Sequence, residues 1–504
     1  MTRIAELAGQ APDKVACLFP DAGTTLTYGA LHRRATRAAH WLIGLGLQGG
    51  DCFALLLDNC AAVFELAFAA ERAGLYYVPI STYLRPAEVG YILRDCGAKV
   101  LVTTAAMLDG LQPVPEMLVA TVDACPPGAI DYDAALAAQP MGPLPPRPVG
   151  RDVLYSSGTT GQPKGVFRPM LPAAPSEPQP DTGVMAAFGA DAATVYLSTG
   201  PLYHAAPHRF TLQTLRRGGT CIVPRRFDAE AALAAIERHR VTHSQWVPTM
   251  FVRLLALPEA VRARYDLSSM RRVIHAAAPC PVAVKERMIA WWGPIIVEYY
   301  AGSESIGATA IESDDWLTHK GSVGRAIAGT VHITDEAGRE LPPGEVGAIW
   351  FAGLPAFEYL NAPEKTRAAV NARGWATYGD IGHLDADGYL YLSDRRADLI
   401  ISGGVNIYPQ EVENVLARHP AVADAAVIGM PDPDLGERVQ GVVQLREGAG
   451  AGPAELMAFC REHLAGPKCP RGIDIVDHLP RSDIGKLLRR VLKDQYRAVA
   501  AGRI

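Results

Sequence analysis

The stretch YSSGTTGQPKGV, which runs from Tyr155 to Val166, combines three glycines, four small hydroxyl residues and one lysine. Glycine lets a backbone turn tightly and point its N–H groups inward, and the hydroxyls and Lys164 add hydrogen-bond donors and a positive charge. The stretch therefore predicts a loop that binds a polyphosphate. It does not match the GxxxxGK[ST] pattern of a P-loop. On composition alone, a surface turn rich in glycine, serine and threonine explains it equally well.

The length and charge of the chain limit the classes of protein to which it can belong. The chain has 504 residues, and a single hydrophobic core rarely grows beyond about 250–300 residues, so at least two domains are expected. The formal net charge is -5, and no basic run or stripe accompanies it. This charge pattern argues against a nucleic-acid partner.

Three features of the sequence predict the cellular compartment of the protein. The first residues, MTRIAELAGQAPDK, lack the apolar core of a signal peptide. The most apolar region, residues 52–80, carries four charged residues, whereas a membrane span needs about 20 nearly uncharged residues. The nine cysteines form no CxxC pair, which indicates free thiols rather than a disulfide framework or a zinc site. We therefore expect a cytoplasmic protein without a transmembrane segment, and buried helix and strand over residues 52–80.

The middle of the chain alternates between strand and helix patterns. Residues 271–278 (RRVIHAAA) read as a buried strand, residues 281–292 (PVAVKERMIAWW) as a helix, and residues 294–300 (PIIVEYY) as a second strand. Short connections between these elements predict a parallel sheet, in which the loops after both strands face one cleft. Proline-rich residues 140–150 predict a linker, and residues 168–183 predict a mobile surface segment.

The last hundred residues have a different pattern. Residues 385–395 predict a hairpin, and short helices and strands follow, ending in a basic helix that begins at Gly485 and Lys486. The predicted fold class is α/β. A large, multi-layered N-terminal domain with mixed and parallel sheets spans residues 1–393. The change of pattern predicts a boundary at residues 394–398, before a small, compact α+β domain over residues 398–504.

Six further segments complete a pattern that extends along the chain. They are PLYHAAP (201–207), HAAAPCP (275–281), YYAGSES (299–305), GWATYGDIG (374–382), DRRADLIISGGVNIYP (394–409) and LPRSDIGKLLRR (479–490). Together with the opening loop, they resemble, in the same order, the motifs of the adenylate-forming superfamily. This superfamily includes acyl-CoA synthetases, adenylation domains of peptide synthetases and firefly luciferase. The resemblance covers essentially the whole chain.

The resemblance implies a two-step reaction that uses ATP, Mg²⁺ and CoA. A carboxylic acid and ATP form an acyl-adenylate with release of pyrophosphate, and the acyl group then passes to a thiol. The implied nucleotide-binding residues are Ser156, Ser157, Gly158, Thr159, Thr160, Gly161, Lys164, Ala277, Ala278, Pro279, Tyr299, Tyr300, Ala301, Ser303, Glu304, Asp380 and Arg395. Within this set, Thr159 and Glu304 would position Mg²⁺, while Asp380 and Arg395 would contact the ribose.

The resemblance also implies that the tail of the chain carries a catalytic lysine. Lys486 matches the lysine that contacts the substrate carboxylate and the α-phosphate, so Lys486, Thr159 and Glu304 are the expected catalytic residues. The small domain would then be mobile, rotating about a hinge over residues 394–397 to bring residues 402–404 to line a pantetheine tunnel. The hinge position, usually Asp or Lys, is Ala397 here, and a hinge needs only to absorb a change in φ and ψ.

The CoA-binding residues implied by the second state are Ser402, Gly403 and Gly404. The expected acyl pocket residues are His204, Trp246, Ala276 and Gly302, although Trp246 fits a buried core residue equally well. These segments are mostly apolar and small. No Asp stands where amino-acid-activating domains bind an α-amine, and strand alternation lets Glu298 point either way. We therefore expect an apolar acid, which could be fatty, aryl or polycyclic.

Two alternatives to an acyl-CoA synthetase stay open. CoA is the expected acceptor because no carrier domain is fused to the chain, but a free acyl carrier protein is the alternative. A non-catalytic nucleotide-binding relative is the second alternative, against which Thr159, Glu304, Asp380, Arg395 and Lys486 argue. The assembly is also open, with a homodimer among the choices. The chain departs from the resembling motifs at Ser303, Ser305 and Tyr378, where Thr, Gly and Thr are usual.

Overall fold

The computed structural model describes residues 3–156, 163–170, 184–355, 357–395, 398–402, 405–433, 435–482, 485 and 487–500. At residues 156, 394, 395, 406 and 498–500 it describes the backbone alone. The chain divides into two compact units. The first unit consists of Met1–Trp246, Ala256–Ile274 and Ala356–Thr366, and the second of Val247–Leu255, His275–Pro355 and Arg367–Ile504.

Helices and strands alternate through the first half of the chain. They are Arg3–Gln10 (α1), Val15–Phe19 (β1), Thr24–Thr27 (β2), Tyr28–Gly44 (α2), Cys52–Leu56 (β3), Ala61–Ala73 (α3), Tyr76–Pro79 (β4), Pro86–Asp95 (α4), Ala98–Thr103 (β5), Leu118–Thr121 (β6), Ile130–Asp131 (β7), Tyr132–Ala137 (α5), Arg151–Asp152 (β8), Leu154–Ser156 (β9), Lys164–Phe167 (β10), Val184–Ala187 (α6), Val195–Ser198 (β11), Ala205–Arg216 (α7), Thr220–Ile222 (β12), Ala229–His239 (α8) and His243–Trp246 (β13). The buried β3–α3–β4 segment predicted over residues 52–80 is confirmed.

The elements that follow run to the predicted hinge. They are Pro248–Ala256 (α9), Glu259–Arg262 (α10), Arg272–His275 (β14), Val282–Trp292 (α11), Ile296–Ala301 (β15), Ala308–Glu312 (β16), Ser313–Thr318 (α12), Ser322–Ala328 (β17), Thr330–Thr334 (β18), Gly347–Ala352 (β19), Glu358–Tyr359 (β20), Pro363–Ala368 (α13), Asp380–Leu384 (β21) and Leu390–Arg395 (β22). The predicted strand–helix–strand order is confirmed as β14, α11 and β15. Pro281 caps α11 at its start and Gly293 ends it, as their positions indicate.

The last elements form a compact α+β layer. They are Ile400–Ser402 (β23), Val405–Ile407 (β24), Pro409–Leu416 (α14), Val422–Asp432 (β25), Gly436–Leu445 (β26), Pro453–His463 (α15), Gly472–Ile475 (β27) and Arg489–Ala500 (α16). The prediction that the final helix begins at Gly485 and Lys486 was wrong, because α16 begins at Arg489. Gly485 has a φ of 75°, and Arg481 pairs with Leu487 in an antiparallel bridge, so these described residues before α16 are not helical.

The sheets confirm an α/β fold with parallel and mixed sheets. In the first unit, β7, β6, β5, β3, β4 and β8 form an entirely parallel six-stranded sheet. The strands β13, β11, β12 and β1 are also parallel neighbours, and β2 pairs antiparallel to β1. In the second unit, β15 to β19, β21 and β22 pair antiparallel, and β27 is the parallel strand of the C-terminal sheet.

The small C-terminal layer has a hydrophobic cluster on each face of its sheet. Strands β25 and β26 pair antiparallel over their whole length and carry α14 and α15 on one face, where Val412, Leu416 and Leu456 are fully buried. Helix α16 packs on the opposite face through Leu492. Within the described residues, none of the helices has both the length and the apolar character needed to cross a membrane.

Candidate active site

The predicted phosphate loop joins two paired strands of the first unit. Strands β9 and β10 pair antiparallel, with Lys164 opposite Ser156, so the two ends of the predicted loop lie side by side. Residue 165 must be a glycine because a Cβ there would lie 2.9 Å from the Tyr155 ring. The Lys164 ammonium lies 5.1 Å from the centre of the Tyr359 ring, a cation–π distance. Ser157, Gly158, Thr159, Thr160 and Gly161 lie outside the described residues, as does the side chain of Ser156.

The predicted adenine-side loop follows β14 in the second unit. Ala276 is buried, while Ala277 and Pro279 are exposed and Ala278 is half-buried. Ala277 has a φ of 77°, a left-handed conformation that costs an alanine about 1–2 kcal/mol. Such strain persists only where the surrounding structure imposes it, and ligand-binding loops are a common location. The small side chains leave the backbone of this loop accessible to a flat ring.

A buried ion pair lies beneath this loop. Lys285 of α11 donates to Glu298 of β15 at 2.6 Å, and both side chains are almost fully buried. The Lys285 ammonium also lies 4.6 Å from the centre of the Trp316 ring. Burial raises the pKa of the Glu298 carboxyl, against the opposing effect of the Lys285 ammonium. Strand alternation did not decide to which side of β15 the Glu298 side chain points. In the structure it points inward, to Lys285.

His275 completes this buried group at the end of β14. Its Nε2 lies 3.6 Å from Glu298 Oε2, and its ring meets Phe251 edge-on. Burial, together with the Lys285 ammonium, lowers the pKa of His275 well below its usual value. The imidazole is therefore neutral at physiological pH. Sequence reasoning missed the Lys285–Glu298 pair, since nothing local connects residues on different elements.

Two residues that are predicted to bind the nucleotide contact each other, one near the end of β15 and one at the start of β21. The Tyr300 hydroxyl donates to Asp380 Oδ2 at 2.5 Å, and Asp380 is buried apart from a small exposed fraction. Tyr299, on the opposite face of β15, is also buried. The hydrogen bond fixes one oxygen of the Asp380 carboxylate.

Tyr378 holds the loop that carries Glu304. The Tyr378 hydroxyl donates to the Gly307 carbonyl at 2.9 Å and accepts from the Ile306 N–H at 3.1 Å. A Cβ on Gly302 would lie 2.3 Å from the Tyr378 ring and 2.8 Å from Glu304 Oε2, so the carboxylate lies over this glycine. Burial raises the pKa of Tyr378 to about 12, which keeps its hydroxyl protonated. In the sequence, Tyr378 stood out only because threonine is usual at this position of the resembling motif.

Replacing Tyr378 with Phe is expected to weaken nucleotide binding while preserving the fold. The ring stays in place, but two hydrogen bonds to the loop are lost, each contributing about 0.5–1.5 kcal/mol. We expect the KM for MgATP in pyrophosphate exchange to rise about tenfold. Tyr83→Phe is the matched control, because Tyr83 is 62% exposed. A KM that is equal in both variants would contradict this role of Tyr378.

The remaining predicted residues are dispersed through both units. In the first unit, His204 precedes α7 and meets Tyr203 edge-on. Trp246 is fully buried and donates to Ser244 at 2.5 Å, which matches the core alternative, so its pocket role stays a prediction. In the second unit, Ser402 is buried on β23 opposite Val405. Gly403, Gly404, Ala397 and Lys486 lie outside the described residues, as does the Arg395 side chain.

The segment after the predicted hinge is tied to the last helix. Asp398 lies 3.5 Å from Arg489 and 3.4 Å from Lys493, both on α16. Arg489 also donates to Glu413 of α14 at 2.6 Å. The start of the small domain and the helix that follows the predicted lysine are therefore linked by ion pairs.

Comparison with known proteins identifies the class. Residues 4–358 match the AMP-binding enzyme family, and residues 411–486 match the AMP-binding enzyme C-terminal domain. The chain belongs to the AMP-binding enzyme family. It is an ATP-dependent, AMP-forming acid–thiol ligase of the acyl-CoA synthetase branch, as its motifs predicted.

Individual relatives cover almost the whole chain. It is 36% identical over 482 residues to a feruloyl-CoA synthase from an Amycolatopsis species, covering 94% of both chains. It is 33% identical over 501 residues to the fatty acid–[acyl-carrier-protein] ligase ScoC of Streptomyces coeruleorubidus, covering 94% of this chain and 92% of the relative. Among solved structures, ATP-bound MatB from Rhodopseudomonas palustris matches with a TM-score of 0.85 and 29% identity, covering 99% of both chains.

Proposed function

We propose that this enzyme activates an apolar carboxylic acid, which is fatty, aryl or polycyclic, and transfers the acyl group to CoA. The observation that carries the choice of acid is the Lys285–Glu298 pair. Because the Glu298 carboxylate is already paired with the Lys285 ammonium, it does not offer a counter-ion for the α-ammonium group of an amino acid. Relatives named for feruloyl and fatty acyl substrates support the same choice.

The first step brings two anions together, so positive charge and N–H donors must offset their repulsion. A substrate carboxylate attacks the α-phosphorus, and pyrophosphate leaves. In this proposal, the opening loop with Lys164 holds the β- and γ-phosphates, and Lys486 reaches the carboxylate and the α-phosphate. Groups already placed where charge develops stabilise the transition state without reorganisation. Asp380 and Arg395 bind the ribose, and the loop around Ala277 lies along the adenine.

The described residues fit a Mg²⁺ ion that is held mainly by the nucleotide. No cluster of three or more His, Cys, Asp or Glu side chains suited to a metal occurs among them. Mg²⁺ at nucleotide sites commonly takes one or two protein oxygens plus phosphate oxygens and water. Glu304, held over Gly302, supplies a carboxylate of this kind, and Thr159 would supply a hydroxyl. The ion would neutralise charge on the phosphates.

The second step needs the small domain to move. A lysine at the reacting carboxylate blocks the approach of a thiol, so we propose that residues 398–504 rotate about residues 394–397. Ser402, Gly403 and Gly404 then line the path of the pantetheine arm. A free acyl carrier protein is the alternative acceptor, because ScoC is named as an acyl-carrier-protein ligase.

A pyrophosphate-exchange assay with a panel of acids tests the proposal. We expect exchange with apolar fatty, aryl or polycyclic acids, and at least 10-fold lower kcat/KM with α-amino acids. Adding CoA should then yield the thioester and AMP. Exchange that is strongest with amino acids would refute the proposed substrate class, and transfer only to a carrier protein would refute CoA as acceptor.

A further inference from the structure

Asp95 stands at a position where the helix itself disfavours it. It is the last residue of α4, and the C-terminal end of a helix carries a partial negative charge that repels a carboxylate. Asp95 is half-buried, and the Tyr155 hydroxyl donates to its Oδ2 at 2.6 Å. Burial and this hydrogen bond raise the pKa of Tyr155, so the hydroxyl stays protonated and remains a donor. A tertiary contact rather than helix propensity therefore accounts for the aspartate.

Tyr155 supports the strand that carries Lys164. It lies on β9, directly opposite Gly165 of β10. A Cβ added to Gly165 would lie 2.9 Å from the Tyr155 ring, so the ring covers the backbone next to Lys164. Because packed groups transmit displacements to one another, a shift of Tyr155 moves β10 as well.

Asp95 also holds the other side of β10. The Asn361 side chain donates to the Asp95 carbonyl at 2.7 Å and to Asp95 Oδ1 at 3.4 Å. Asn361 has a φ of 52°, a left-handed conformation that asparagine adopts more readily than most residues. The N–H of the adjacent Leu360 donates to the Gly165 carbonyl at 2.8 Å. The turn after β20 is therefore fixed to α4 and to β10 at once.

Lys164 is held from the same two directions. Its backbone lies opposite Ser156 of β9, and its ammonium lies 5.1 Å from the centre of the Tyr359 ring on β20. Both neighbours of Lys164, β9 and β20, are thus tied to Asp95, the first through Tyr155 and the second through Asn361. All of these residues belong to the first unit.

We propose that Asp95 is a positioning residue that holds Lys164 where the β- and γ-phosphates of ATP bind. The inference rests on the proposed function, which assigns Lys164 to those phosphates. Asp95 acts through Tyr155 and Asn361 rather than by contacting the nucleotide. Because AMP lacks the β- and γ-phosphates, loss of this support weakens the binding of ATP and leaves the binding of AMP unchanged.

Titration calorimetry with MgATP and with AMP measures this difference. In Asp95→Ala, we expect the Kd for MgATP to rise about tenfold, the size of one lost hydrogen bond to a charged group, while the Kd for AMP changes less than twofold. Asp95→Asn keeps a side-chain oxygen that accepts from Tyr155, so its Kd for MgATP should stay within threefold of that of the unsubstituted enzyme. An equal loss for ATP and AMP in Asp95→Ala, or no recovery in Asp95→Asn, would overturn the proposal.

Asp51→Ala is the matched control for the loss of a carboxylate in the first unit. Asp51 is also half-buried and accepts two hydrogen bonds, at 2.6 Å from Lys99 and at 2.7 Å from the Gln48 N–H. Neither partner belongs to β9, β10 or β20. The Kd for MgATP should therefore change less than twofold. The same selective loss in Asp51→Ala as in Asp95→Ala would count against a specific role of Asp95.

A double variant tests whether Asp95 acts through Tyr155. Tyr155→Phe removes the same hydrogen bond from the other side but keeps the ring against Gly165, so it should weaken MgATP binding about as much as Asp95→Ala. Adding Asp95→Ala to Tyr155→Phe should then weaken binding less than twofold further, because the two substitutions remove one shared contact. Losses that multiply in the double variant would overturn this coupling.

Lys164→Gln separates a failure of this inference from a failure of the proposed function. We expect it to raise the Kd for MgATP at least tenfold and to leave the Kd for AMP unchanged. If Lys164→Gln shows this selective loss and Asp95→Ala does not, Asp95 has no positioning role and the assignment of Lys164 stands. If Lys164→Gln changes neither Kd, the proposed role of Lys164 fails, and the inference fails with it. Neither an acid nor CoA is present, so the result does not depend on the proposed acid or acceptor.

Discussion

Replacing Lys486 with alanine is expected to lower the rate of adenylate formation by about 10²–10³-fold, while transfer from a supplied acyl-adenylate stays largely intact. The reason is that a single ammonium group would stabilise charge where the carboxylate meets the α-phosphate, and losing such a donor costs about 2.7–4 kcal/mol. In the proposed second step the tail moves away from the reacting carboxylate, so the same substitution is expected to leave acyl transfer unchanged. Stopped assays of the two half-reactions measure both rates.

Lys468→Ala provides the control for a general loss of charge in the small domain. Lys468 pairs with Glu411 at 2.8 Å, and both side chains are partly exposed. Exposed ion pairs contribute about 0.2–1 kcal/mol, so neither half-reaction should change by more than about threefold. If Lys486→Ala slowed both half-reactions to a similar degree, the lysine would not have the proposed selective role.

Glu298→Gln is expected to destabilise the second unit by about 3–5 kcal/mol, because it leaves the Lys285 ammonium buried without its counter-charge. Lys285 is 0% exposed and donates to Glu298 at 2.6 Å, so water cannot replace the lost carboxylate. The double variant Lys285→Met/Glu298→Gln removes the unpaired charge and should recover most of the loss. Urea unfolding measures the free energy of unfolding of both variants. The fluorescence of Trp316, whose ring centre lies 4.6 Å from the Lys285 ammonium, reports unfolding around the ion pair.

The same helix offers a matched control for this prediction. Glu286 of α11 pairs with Lys320 at 2.6 Å, but their side chains are 39% and 50% exposed. Glu286→Gln should therefore change the free energy of unfolding by at most about 1 kcal/mol, since water solvates the remaining lysine. Equal destabilisation by Glu298→Gln and Glu286→Gln would show that burial of the first pair has no energetic consequence.

Local chemistry made much of the fold predictable. The helix α11 was correctly placed because Pro281 and Gly293 mark its ends within a few residues of the chain. The hairpin of β21 and β22 followed from alternation around a turn. The start of α16 was misplaced because the basic residues continue back to Lys486, while the close approach of Gly485 to Thr249 involves a residue outside any local window.

The sequence by itself determined the class of enzyme, the order of its motifs and the candidate ligands, because residue types and short spacings encode these directly. Only the tertiary structure decided where Glu298 points, what Tyr378 holds and why residue 485 must be glycine. Each of these depends on a partner outside the residue's own helix, strand or loop: Lys285 for Glu298, Ile306 for Tyr378 and Thr249 for Gly485. Such contacts form when distant segments pack together, and packing imposes distances that periodicity and composition do not contain.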